Sequence, residues 1–246
     1  MLLRRISAHI RGENWFAVVL DLLVVIVGLF LGLQMDTWWE GQKEARIEST
    51  YLQEIREDFE LNKSSLHEQI SRAEHIIRSM IVLHEQSTLV QRSLSIVELN
   101  EKFSSIHHMP AFVIATRAYD NLTGSGDLKL LRNRRLKNLL AAYYAAADLT
   151  AIVQSTHEME LVQTFQPYII DNLDYAAVKP SDDWLAYDLV DDFPLTGSSE
   201  EAQILDVLDT RQFRNVVVQK WLISTDLLDQ FRRMLNLTDE VLQMLE

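Results

Sequence analysis

Three His-Glu pairs, His67-Glu68, His84-Glu85 and His157-Glu158, open the way a helical zinc-peptidase motif opens, with a metal ligand beside a general base. That chemistry needs a second imidazole four residues after the first, so that both nitrogens share one helix face. Those positions hold Ser71, Thr88 and Leu161 instead. His107-His108 before Met109 offers donors for copper or zinc, but adjacent residues on one helix point to different sides, and a helix-end loop is the simpler expectation. Gly124-Ser125-Gly126 lacks both the Lys of a phosphate-binding loop and the third Gly of a dinucleotide loop, so it reads as a turn. No nucleophile elbow or carboxylate pair stands out among the 36 acidic residues. The sequence therefore predicts no enzyme, and no catalytic, cofactor-binding or metal-ligating residue.

The polar residues with a sharper context are Asp21 and Gln34, which interrupt the apolar run WFAVVLDLLVVIVGLFLGLQM at 15–35. As a helix this run is about 31 Å long, enough to cross a hydrocarbon core. Charge at mid-bilayer costs on the order of 2.5 to 3.5 kcal/mol, so Asp21 is expected to pair, to reach the headgroups, or to line an ion or proton path with Gln34. Gly28 and Gly32 form GxxxG, where two missing side chains let a second helix approach. Spacings of three and four put Asp21, Val25, Gly28, Gly32, Met35 and Trp39 on one face. That face, through Gly28, Gly32, Met35 and Trp39, is the expected helix–helix interface. Trp15 at one end and Trp38 and Trp39 at the other are placed as interfacial anchors.

Orientation follows from the flanks. Arg4, Arg5 and Arg11 precede the run, opposed only by Glu13, whereas Asp36 and Glu40 are the first charges after it. The positive-inside rule then puts the tail 1–14 in the cytoplasm and 36–246 in the periplasm, the chain being a single-pass protein of a bacterial inner membrane. A cleaved signal peptide is the competing reading. It is disfavoured by the length of the run and by the junction Gln34-Met35-Asp36-Thr37, which offers no small-residue cleavage site.

The elements that must carry these residues are helices. Seven Gly and four Pro in 246 residues argue against a turn-dense β fold, and the absence of Cys excludes disulfides, thiolate metal sites and a lipoprotein anchor. A net charge of −13 leaves no cationic excess for nucleic acid. After the span, Tyr51, Ile55, Phe59, Leu66, Ile70, Ala73, Ile77 and Met80 recur at helical spacing to about Glu85, with Glu44, Glu48, Glu54, Arg56, Glu57, Asp58, Glu60 and Lys63 on the expected solvated face. Further helices are expected over Ile96 to Ile106, from Phe112 to the Gly124 turn, and from Leu128, capped by Asp127, toward Ile170 with a kink or stop at Pro167. Residues 174–197 carry six Asp and two Pro and read as an acidic surface excursion packed down through Trp184, Tyr187, Leu189 and Phe193. The basic patch of Arg132, Arg134, Arg135 and Lys137 is its expected salt-bridge partner. Ser198 and Glu201 form a capping-box pattern for a short helix. The last helix, from about Thr210 to Leu245, would bury Phe213, Val217, Trp221, Leu222, Leu228, Phe231, Leu235 and Leu242. The predicted fold is all-α: one N-terminal transmembrane helix continuing into an extramembrane antiparallel helical bundle.

Two runs, LVVIVGLFLGLQMDTWWE and AYDNLTGSGDLKLLRNRRLKNLLAAYY, together resemble a bacterial family of single-span, membrane-anchored helical proteins of unknown function. In that family an acid opens the span, a Gly-rich helix ends in Gln, and Trp plus an acid follow. Here Asp21, Gly28, Gln34, Trp38 or Trp39, and Glu40 match that order, while Leu122, Gly126 and Tyr143 or Tyr144 match the second motif. The resemblance covers about a quarter of the chain and implies the single-span topology, with no activity attached. The functional expectation is a scaffold or assembly protein that acts through its periplasmic bundle and self-association, its partners being the lipid bilayer, further copies of itself, and other membrane or periplasmic proteins. The alternative is an oligomeric ion or proton pathway subunit with Asp21 and Gln34 facing the helix bundle. An extracytoplasmic hydrolase is the weakest reading.

Overall fold

A computed structural model describes residues 15–174 and 201–245, leaving aside the side chains of Ala17, Glu201 and Ala202. The N-terminal tail, the acidic excursion beyond Asp174 and the Ser198 cap lie outside the described residues. Every regular element among the described residues is helical. In chain order these are α1 (Trp15–Gln86), α2 (Ile96–Ser104), α3 (Arg117–Gly124), a 3₁₀ turn (Asp127–Leu130), α4 (Arg134–Glu160), a π-turn (Leu161–Phe165), α5 (Gln166–Asn172), α6 (Glu201–Leu208) and α7 (Arg211–Leu245). No Pro falls within α1, and Gly41 is its one Gly beyond the span, so nothing interrupts its hydrogen-bond ladder.

The described residues divide into two compact units, 15–54 with 122–132, and 55–121 with 133–174 and 201–245. In the first, the 122–132 segment is fastened to α1 by polar contacts. The Tyr51 hydroxyl donates to Asp127 Oδ2 at 3.1 Å, and the Arg132 backbone N–H donates to Glu48 Oε1 at 2.6 Å. Gly126, with φ +76°, supplies the left-handed residue that this turn requires.

The second unit is built on α1, α4 and α7. Lys63 pairs with Asp239 and Glu74 with Arg232, so residue numbers rise along α1 as they fall along α7. His157 of α4 meets Lys220 of α7 and Glu160 meets Gln219, again in opposite order. On α7 the buried positions Phe213, Val217, Lys220, Ser224, Leu227, Phe231, Met234, Thr238 and Val241 follow one another at spacings of four and three. This is a heptad seam that meets its neighbours along its whole length. Phe59 of α1 lies against Tyr143 of α4 with ring centroids 4.5 Å apart. A second cluster, formed by Met80, Leu83, Phe103, Phe165, Ile204 and Phe213 among others, brings α2, α5 and α6 onto the same core.

Several expected boundaries move. The helix expected from Phe112 begins only at Arg117, because 111–116 forms no regular element and its backbone is paired to side-chain amides. Asn62 accepts from the Ala115 N–H at 2.7 Å and donates to its carbonyl at 3.1 Å. Gln154 treats Phe112 in the same way, at 2.7 and 3.2 Å, and Gln69 accepts from the Ala111 N–H. Asp127 opens only a 3₁₀ turn, and the α4 cap is Asn133, whose side chain accepts from the N–H groups of Arg135 and Leu136. Near Pro167, which lacks an N–H and would crowd the carbonyl four residues back, the helix widens: the Gln166 N–H bonds to the Leu161 carbonyl. On α7, Trp221 and Leu222 are exposed and Leu235 half-buried, while Lys220, Ser224 and Thr238 lie inside.

Asp58, expected on the solvated face, is buried, and its Oδ2 accepts from the Ala118 N–H at 2.7 Å. Asp58→Ala would leave that donor unpaired, and the expected loss is about 1–3 kcal/mol. Asp58→Asn, which keeps an acceptor oxygen, should lose less. Denaturant midpoints of the two variants separate these cases.

Candidate functional site

Two places hold residues whose arrangement calls for a partner or a proton. The first is the apolar half of α1. Among the described residues one helix is long and apolar enough to cross a membrane, and its most apolar 18-residue window has none of its residues buried. Gly28, Gly32, Met35 and Trp39 lie together along one shallow groove with Leu29, Leu33 and Asp36. A side chain built at Gly28 or Gly32 would meet no neighbouring atom of the described residues within 4 Å, so among them the groove is open to another helix. Asp21 and Gln34 are exposed and do not line it. Trp38 and Trp39 meet edge to face, centroids 5.2 Å apart, beside the exposed Met35, and Trp15 is exposed at the other end.

The second place is inside the bundle and was not legible as a site. Lys220 is fully buried on the α7 seam. Its Nζ donates to the His108 carbonyl at 2.7 Å, lies 2.8 Å from His157 Nε2, and sits 4.9 Å from the centre of the Phe165 ring. The π-turn ends in Phe165, so the local widening of that helix and the lysine share one spot. His157 is fully buried as well. His107 and His108 follow in the same cluster, rings 4.4 Å apart, with His108 Nδ1 at 2.6 Å from the Ser104 carbonyl. Among the described residues Lys220 forms no ion pair with a carboxylate, and Glu160 is turned to Gln219 and Thr164.

Burial pushes the Lys220 amine down to about 7 and the His157 imidazole down to about 3, the nearby Lys220 charge adding to the latter. His107 is held down to about 4 by burial and by its cationic neighbours. A lysine near neutrality can act as a base or nucleophile, but this amine is sealed from solvent and no substrate reaches it while the bundle is closed. What the cluster can do is exchange protons with the bulk by opening.

His157-Glu158 supplies a core imidazole, while His67 and His84 are exposed. Among the described residues no three His, Cys, Asp or Glu side chains converge as a metal site requires. Arg132 pairs with Glu48, and the acidic excursion expected to meet the basic patch lies outside the described residues. No family model, curated protein or solved structure matches this chain.

Proposed function

We propose that this chain is a membrane-anchored scaffold or assembly protein. Residues 15–35 cross the bilayer once, the tail 1–14 is cytoplasmic, and 36–246 stands in the periplasm as an antiparallel helical bundle that meets partners. Copies associate through Gly28, Gly32, Met35 and Trp39. The observation that carries this reading is the bareness of the apolar run: Val19 to Leu33 holds twelve large hydrophobic side chains between 45% and 66% exposed, with no covering surface from the described residues. In water such a surface is untenable, and lipid together with a second copy at the glycine groove is the natural cover. Its resemblance to a single-span bacterial family points the same way.

A reporter active only in the periplasm, fused after Glu246, should function, and one active only in the cytoplasm should not. The opposite pattern reverses the topology. Replacing both Gly28 and Gly32 with Ile fills the groove where the backbones meet. The apparent self-association constant in detergent is then expected to fall about tenfold or more, equivalent to about 1.4 kcal/mol. An unchanged oligomer distribution would move the contact away from this face.

A further inference from the structure

The buried basic cluster has a consequence that depends on its geometry and not on membrane anchoring. Lys220 Nζ and His157 Nε2 face each other at 2.8 Å. Between them only one proton can sit comfortably: a charged amine donates to a neutral imidazole, or a neutral amine accepts from the imidazole N–H. In either form the amine can keep its hydrogen bond to the His108 carbonyl, which ties α7 to the 105–116 segment. A second proton would set two donors and two positive charges against each other where no water reaches. His157 Nδ1 has no hydrogen-bond partner in the core, so it offers the extra charge no relief.

Among the described residues, the groups around this pair do not offset such a charge. The 105–116 segment brings His107 and His108, and α1 brings Arg72 and His75, which act on His108 with the same sign as Lys220. The acid alongside, Glu160 on α4, is engaged by Gln219 and Thr164. Arg72 carries its own partner, Glu68.

We propose that Lys220, His157 and the His107–His108 corner form an acid-sensitive latch, closed while the pair shares one proton and opened when a second proton parts α4, α7 and the 105–116 segment at this level. The direction follows from linkage. Both histidines bind protons less readily in the closed bundle than in water, so the open state takes up protons as pH falls below 6.5, and closure is progressively lost toward about 4 for His107 and about 3 for His157. Lys220 has the same sign at higher pH, so closure strengthens from about 7 toward 10.5. Each histidine released by opening contributes up to about a tenfold change in the open-to-closed ratio per pH unit.

The test is amide hydrogen exchange on the full chain in detergent micelles between pH 7.5 and 4.5, corrected for the intrinsic pH dependence of exchange. Protection around 157–165 and 216–224 is expected to fall by about tenfold per pH unit below 6.5, with a smaller change near Val241. The double variant Lys220→Met, His157→Leu, which keeps apolar volume and removes both charges, should lose the His157 share of that slope and keep only the share of His107 and His108. A flat wild-type profile, or an unchanged slope in the double variant, overturns the latch. Should the double variant fail to fold, the wild-type His157 ring shift decides. An imidazole that stays neutral to pH 5 and gains its proton together with local opening supports the latch, and one that titrates near 6.5 with protection intact overturns it.

Discussion

Phe59→Ala is expected to lower the stability of the helical unit by about 3–5 kcal/mol, one of the two largest effects anticipated for a single substitution in this chain. Phe59 is wholly buried on α1, one turn after Ile55 and three residues before Asn62, and its ring lies against Tyr143. Truncation removes the apolar area and leaves a cavity beside a tyrosine whose hydroxyl burial has already pushed up to about 12. Collapse around the gap is opposed by Asn62, which is fixed at both ends of its amide by Ala115. Phe59→Leu keeps most of the volume and should cost under about 1.5 kcal/mol. Urea unfolding followed by helical circular dichroism checks both. A loss below 1 kcal/mol for the alanine variant would mean that the α1–α4 contact carries little of the fold.

The second large effect concerns the solvent rather than the core. Ile26→Arg should raise the cost of inserting the apolar run by about 3–4 kcal/mol, combining a charge at the centre of the span with the loss of an apolar side chain. The expected result is that most of the protein is released by alkaline extraction, where the wild type stays with the membrane. Leu61→Arg is the informative control, because Leu61 is on the same helix and is 64% exposed against 57% for Ile26. If both positions face water, the two variants should behave alike. If Ile26 faces lipid, only Ile26→Arg should leave the membrane, and equal retention of both variants would remove the anchor from the proposed function.

Latch and anchor can be lost separately. A chain released by Ile26→Arg still contains the Lys220–His157 contact, since that contact is built from α4, α7 and the 105–116 segment. Gly28→Ile and Gly32→Ile likewise change only the apolar face of α1.

Periodicity and length alone determined the helical class, the apolar run of 15–35 and the long helices that follow. An uninterrupted 3.6-residue pattern without Pro has few other solutions, and a 21-residue apolar helix has few other solvents. The Gly28, Gly32, Met35 and Trp39 face was also readable, because residues at spacings of three and four on one helix must lie together whatever else the chain does. Only the tertiary structure decided what happens where polar residues enter the core. Counting apolar residues on α7 selected Trp221 and Leu222, which are exposed, and passed over Lys220, Ser224 and Thr238, which occupy the seam. A lysine is stable there only because acceptors arrive from His157, 63 residues away, and from the His108 carbonyl, 112 residues away. Asp58 and Asn62 were likewise indistinguishable from surface residues until the 111–116 segment and the first turn of α3 came to meet them. Local pattern fixes which face of a helix is mostly apolar. Whether a polar group can be buried on that face is set by partners distant in sequence, since burial without a hydrogen bond costs more than the packing returns.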